Sequence, residues 1–94
     1  MDMRDFDNTV LFIGGGSIAT ALGSILAAKK NFNVTLLTVE KEVVQSINTK
    51  NINTKYFPNV ELPATLKASN DFKLLQQKAI VFIAIPSIVS VDFL

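Results

Sequence analysis

Three consecutive glycines, Gly14-Gly15-Gly16, separate a short apolar run from a helix-like pattern, and no other feature of the chain restricts its fold as much. Thr9 to Ile13 (Thr-Val-Leu-Phe-Ile) is unbroken, as expected of a central parallel strand buried on both faces. From Ser17 the period changes. Ile18, Leu22, Ile25 and Leu26 fall on one helical face, and the pattern runs out near Lys29 and Lys30, whose charges suit a helix C-terminus. Strand, glycine turn and amphipathic helix form the opening of a βαβ unit.

The alternation continues. Val34 to Leu37 reads as a second strand, and Glu40 to Lys50 as a helix with Val43, Val44 and Ile47 on its inner side. Asn51 to Pro63 holds Pro58 and Pro63 and supports neither period, so a loop is predicted. Thr65 to Ala68 suits a short edge strand, and Asp71 opens a helix of one or two turns with Phe72 and Leu75 inward. Ala79 to Ile85 reads as a fourth, central strand stopped by Pro86, and Ser87 onward as the first turns of another helix. Right-handed crossovers give strand order 3-2-1-4. The fold expected is therefore a Rossmann-type α/β unit: three layers, a parallel sheet, incomplete at the C-terminus, with residues 1–94 as one partial dinucleotide-binding domain.

Gly14 to Ala19 fits G-x-G-x-x-G/A in the required context. A pyrophosphate needs backbone N–H donors at close range and a helix N-terminus pointing at it, and loop side chains would block that approach. Gly14 would permit the tight turn and Gly16 the close approach, while Ala19 would keep the helix against the sheet. Ser17 would either cap the helix or bond a phosphate oxygen. The competing interpretation is a glycine turn that binds nothing. At the end of the second strand, where a carboxylate selects NAD and a basic residue NADP, stand Thr38, Val39 and Glu40. Glu40 either reaches the ribose, given a strand one or two residues longer, or is a solvated first-turn residue of the helix.

Composition narrows the rest. Neither Cys nor His occurs, which removes disulfides, thiolate nucleophiles, Ser-His-Asp triads and the commonest zinc sites. The formal charge of +1 gives no basic surplus for nucleic acid, and 49% hydrophobic residues supply a core. The longest apolar run, Ala79 to Pro86, is far below the roughly 20 residues of a membrane helix, so a cytoplasmic protein is expected.

With these elements in place, the chain resembles the NAD(P)-dependent glycerol-3-phosphate dehydrogenase family. The opening from Gly14 to Leu22 is similar to the family's Gly-x-Gly-Ser-x-Gly-Thr-Ala-Leu, Val34 to Leu37 to its second strand, and Val43 to Asn48 to its second helix. Asn53-Thr54-Lys55-Tyr56-Phe57-Pro58 resembles its Asn-x-x-Tyr-Leu-Pro loop, continued by Leu62-Pro63 and Leu66-Lys67-Ala68. Ala84-Ile85-Pro86-Ser87 resembles the Ala-Val-Pro-Ser that ends strand four. The family's aromatic at position 18, third glycine at 19 and basic residue at 39 are replaced by Ile18, Ala19 and Val39.

The resemblance implies an NAD or NADP site made by Gly14, Gly15, Gly16, Ser17, Ile18 and Ala19, with Tyr56 and Pro86 beside the cofactor. Tyr56 and Phe57 could equally pin the loop, and Pro86 could simply end its strand. The family's reaction passes hydride between a nicotinamide and dihydroxyacetone phosphate or glycerol 3-phosphate. Its catalytic lysine and substrate domain are expected beyond Leu94, so that substrate binds only where the missing domain is supplied. Catalysis by these residues alone is not expected. A stand-alone NAD(H)-binding regulatory module and an inactive, decayed fragment are the alternatives. An unfinished sheet flank would favour marginal stability or self-association.

Overall fold

The computed structural model describes residues 8–29, 31–77, 79–85 and 88–93. Their elements are β1 (Thr9–Ile13), α1 (Ser17–Ala27), β2 (Asn33–Leu37), α2 (Lys41–Lys50), β3 (Lys67–Ser69), a 3₁₀ helix (Phe72–Gln76), β4 (Ile80–Ile85) and β5 (Ile88–Phe93). Among the described residues the sheet has the order β3-β2-β1-β4-β5. The first four strands are parallel and stand in the expected order 3-2-1-4.

Alternation along the strands sorts the core into two faces. Val10, Phe12, Val34, Leu36 and Ala84 meet Ala19 and Ala27 of α1 and Val43 and Ile47 of α2. Leu11, Leu37 and Val81 point the other way, with Ile13, Ile83, Leu74 and Leu75 packed on them. Phe12 and Phe82 are register partners, and their rings stack at 4.8 Å between centroids. Continuous apolar runs in β1 and β4 follow from burial on both faces.

Helix α1 packs differently from expectation. Its buried residues are Ala19, Thr20, Gly23 and Ala27, whereas Ile18, Leu22 and Ile25 are exposed, Ile25 to 59%. Small residues four apart let the helix backbone settle close to the sheet, and larger side chains cannot enter that gap. A Cβ on Gly23 would come within 3.0 Å of Leu36, which accounts for a glycine in a helix interior where alanine has the higher propensity. The helix also stops at Ala27, short of Lys29, and the Thr65 hydroxyl donates to the Ala27 carbonyl (2.8 Å), satisfying a terminal acceptor.

Two further expectations are corrected. Leu75 packs inward as expected, but Phe72 is exposed, because the turn after Asp71 is a 3₁₀ helix and its tighter winding directs Leu74 to the core in its place. The segment after Ser87 is not helical: β5 pairs antiparallel with β4, from Ile85↔Ile88 to Ile80↔Phe93. Ile-Val-Ser-Val-Asp-Phe is β-branched and aromatic at four of six positions, and that composition favours a strand where a helix had been expected. The flank of β4 expected to be open is therefore paired.

Two asparagines secure the loops. Asn48 on α2 donates to the Ala68 carbonyl (2.7 Å) and accepts from the Ala68 N–H (2.9 Å), covering that part of the β3 edge. Asn53 is fully buried. Its amide nitrogen donates to the Gly15 carbonyl (3.0 Å) and the Thr20 hydroxyl (2.8 Å), and its amide oxygen accepts from the Tyr56 N–H (3.2 Å). The loop from Asn51 to Pro63 is thereby fastened to the glycine turn. Replacing Asn53 by Ala strips the buried Thr20 hydroxyl of its donor and leaves the Gly15 carbonyl only the long bond from Thr20 (3.4 Å), and the expected cost is about 1–3 kcal/mol. Chemical denaturation of both proteins checks this, and a change below about 0.5 kcal/mol would contradict it.

Candidate functional site

A cleft of about 470 Å³ opens beyond the carboxyl ends of β1, β2 and β4. Gly14, Gly15, Gly16, Ser17, Ile18, Thr38, Val39, Glu40, Tyr56 and Ala84 line it. This is the switch point of the strand order, where β2 flanks β1 on one side and β4 on the other.

The three glycines have separate causes. Gly14 adopts φ +126°, donates its N–H to the Leu37 carbonyl (2.7 Å), and would place a Cβ 2.5 Å from the Ala84 carbonyl oxygen. The fold alone requires glycine there. A Cβ on Gly15 would press on Thr38 at 3.0 Å. Gly16 is different: its φ is −82°, and a Cβ would approach nothing closer than Tyr56 at 3.9 Å. Packing does not demand a glycine at 16, and the space left by the missing side chain belongs to the cleft.

Helix α1 starts at this space. Gly16 is its N-cap, so Ser17 lies inside the helix and does not cap it, which settles one of the two roles open to that hydroxyl. The first helical bond runs from the Thr20 N–H to the Gly16 carbonyl (3.0 Å), and the amides of Ser17, Ile18 and Ala19 precede it. With no side-chain cap, the positive end of the helix faces the cleft. Ala19 is buried against the sheet and does not line the cleft. Pro86 lies outside the described residues.

Opposite the glycines, Glu40 reaches the cleft although β2 ends at Leu37. The chain turns at Thr38, whose hydroxyl accepts from the Glu40 N–H (3.1 Å), so no longer strand is needed. The Glu40 carboxylate accepts from the Tyr56 hydroxyl (2.9 and 3.2 Å) and from the Lys55 ammonium, which also pairs with Glu42 (3.1 Å). Val39, at 78% exposure, supplies no charge. Of the two readings of Glu40, the structure supports the one facing the cleft. Tyr56 itself lines the cleft, while Phe57 bridges back to Asn53 and packs at the loop's far side.

Lys55 hydrogen bonding, aided by Tyr56, holds the Glu40 carboxyl below the usual carboxylate range. The same bond to Glu40, together with desolvation, pushes the Tyr56 phenol up. Because Glu40 is depressed, its stabilisation is complete above the ordinary carboxylate pKa and is lost as pH falls through the folded value.

A family model described as NAD-dependent glycerol-3-phosphate dehydrogenase N-terminus matches residues 9–94. The chain belongs to this family. Among its relatives, the glycerol-3-phosphate dehydrogenase [NAD(P)+] of Clostridium acetobutylicum is 43% identical over 79 residues, covering 83% of this chain and 24% of the relative. That of Leptospira biflexa is 46% identical over 76 residues, covering 80% and 22%. The crystal structure of the glycerol-3-phosphate dehydrogenase from Coxiella burnetii superposes with a TM-score of 0.61 at 26% identity, over 81% of this chain and 24% of that one. The chain thus spans about a quarter of the length of the family members it matches, their N-terminal part. The family's cofactor class is NAD or NADP. Among the described residues no helix is long and apolar enough to cross a membrane.

Tyr56 is the sole tyrosine and tryptophan is absent, so ultraviolet absorbance follows its ionisation alone. Alkaline titration should place the phenol above the ordinary value of about 10, and Glu40→Gln should bring it down. Equal midpoints in the two proteins would show that the carboxylate and phenol do not interact.

Proposed function

We propose that this chain forms the dinucleotide-holding part of a glycerol-3-phosphate dehydrogenase, with the cofactor's pyrophosphate against Gly14, Gly15, Gly16, Ser17 and Ile18. The observation that carries the proposal is Gly16, whose missing side chain opens the cleft at the uncapped start of α1 and serves no packing need. A pyrophosphate there would accept from amides that have no helical partner and would sit at the positive end of the macrodipole. Ala19 contributes indirectly, by seating the helix on the sheet. Tyr56 offers a ring edge and a fixed hydroxyl on the opposite wall. Pro86 belongs to the same proposal through its place next to β4, whose Ala84 lines the cleft.

When bound, the nicotinamide supplies the hydride chemistry, and the protein contributes binding, orientation and charge. Among the described residues, Glu40 and Tyr56 are the ionisable ones lining the cleft, and each is engaged with the other. Neither is nominated as a catalytic acid. Exchange of hydride with dihydroxyacetone phosphate or glycerol 3-phosphate is proposed for the complete enzyme, with its substrate pocket and lysine outside residues 1–94. A cytoplasmic location is part of the same proposal.

Calorimetric titration of the chain with NADH and NADPH tests the proposal. Saturable binding of at least one nucleotide is expected, weakened about tenfold or more by Gly16→Val, whose Cβ has room beside Tyr56 and whose methyls occupy the approach. A folded chain that binds neither nucleotide would overturn it.

A further inference from the structure

The peptide that joins Gly15 to Gly16 has glycine on both sides. A flip of that peptide turns about ψ of Gly15 and φ of Gly16, the rotations for which glycine meets least steric resistance. Because the peptide is trans and planar, its C=O and N–H point in opposite directions, so whatever holds the Gly15 oxygen aims the Gly16 hydrogen. The oxygen is held inward. It accepts from the Asn53 amide nitrogen (3.0 Å) and, at longer range, from the Thr20 hydroxyl (3.4 Å), and both of those side chains are fully buried. The Gly16 N–H accordingly faces away from them, toward the cleft that Gly15 and Gly16 line. Asn53 itself has one serviceable orientation, since its amide oxygen accepts from the Tyr56 N–H (3.2 Å). A carboxamide turned over would set oxygen against the Gly15 oxygen and nitrogen against the Tyr56 N–H.

We propose that Asn53 is a positioning residue for the bound anion: by holding the Gly15 carbonyl inward, it presents the Gly16 N–H to a pyrophosphate ahead of the Ser17 and Ile18 amides. The inference rests on the cleft being a dinucleotide site. Asn53 does not line the cleft and touches no ligand; it acts through the peptide. With that peptide flipped, a carbonyl oxygen would face the anion where a donor is needed, exchanging attraction for repulsion. Thr38 excludes a side chain at 15 and the cleft leaves room at 16, so the turn has two glycines in succession and the freedom that goes with them. Asn53 removes that freedom before the ligand arrives, and the ordering cost is no longer met on binding.

The test is titration of the full 94-residue chain with inorganic pyrophosphate and with NADH, for the unmodified protein, Asn53→Ala and Thr20→Val. Thr20→Val takes away the other acceptor of the Asn53 nitrogen and leaves its bond to Gly15, so it measures the general effect of disturbing the buried network. Asn53→Ala should weaken both ligands about tenfold or more, and Thr20→Val by less than about threefold. In Asn53→Ala the nuclear Overhauser contact between the Gly15 Hα protons and the Gly16 N–H should also change, reporting the rotated peptide, and in Thr20→Val it should not. Equal losses in the two variants, or an unchanged Gly15–Gly16 contact in Asn53→Ala, would overturn the inference while leaving the dinucleotide site intact. Failure of the folded, unmodified chain to bind either ligand would instead remove the underlying proposal, and the inference with it. Should Asn53→Ala fail to fold, the isotope-labelled unmodified chain gives a second reading. Scalar coupling across the hydrogen bond from Asn53 Nδ2 to the Gly15 carbonyl carbon should be present and should persist at saturating pyrophosphate, with the Gly16 amide among those that shift. Absent coupling, or a Gly16 amide that pyrophosphate leaves unmoved, would overturn the inference.

Discussion

A single buried carboxamide joins two stretches of chain that are distant in sequence, the loop that carries it and the glycine turn with the first turn of α1. Asn53 grips the Gly15 carbonyl and the Thr20 hydroxyl with its nitrogen and the Tyr56 amide with its oxygen. The Gly15 carbonyl belongs to the turn, Thr20 to α1, and Tyr56 to the loop, so this side chain ties the loop to the start of α1. Buried polar groups of this kind contribute modestly when satisfied and cost heavily when one partner is removed. The cleft draws on that asymmetry. The clip acts together with the Tyr56–Glu40 bonds and the packing of Tyr56 on the core to set the wall bearing Tyr56 against the glycines.

Around this clip the packing is organised by smallness. Gly14 passes under the Ala84 carbonyl, Gly15 under Thr38, and Ala19, Gly23 and Ala27 bring α1 down onto the sheet. Each close approach is made by backbone or methyl groups, and this lets the amino end of α1 arrive directly at the carboxyl ends of β1 and β4. Ile18, Leu22 and Ile25 of α1 are displaced outward as a result, while Leu26 still packs on the core. One geometric requirement therefore explains Gly14, Gly15 and the exposed Ile25, and leaves Gly16 to the cleft.

Much of this was legible in the sequence, for reasons specific to each element. The unbroken runs of β1 and β4 and the glycines between β1 and α1 have few alternative solutions, and the strand order followed from connection rules. The orientation of α1 was not legible, because hydropathy periodicity locates the apolar stripe and cannot register that small residues permit closer packing than large ones. The last segment misled for a related reason: its apolar residues fit a helix after a proline, and the β-branched content that made β5 carried too little weight. Asn53 was visible as part of the Asn-x-x-Tyr pattern, yet its role as a clip required the fold, since its partners lie 33 and 38 residues away. For Glu40 the sequence leaves two places open, facing the ribose at the end of a longer second strand or solvated in the first turn of the helix. The signal that decides it, Tyr56 sixteen residues later, is a loop contact that no local period encodes.

On the proposed function, the amides at the start of α1 hold an anion brought by a dinucleotide. The most direct measurement is a solution NMR titration of the isotope-labelled chain with NADH, following each backbone amide. The amides of Gly16, Ser17 and Ile18 should move most, with the Tyr56 ring protons moving alongside and Ile25 on the outer face of α1 unmoved. Shifts centred on Ile25 and Val60, or none at the glycine turn under saturating nucleotide, would contradict it.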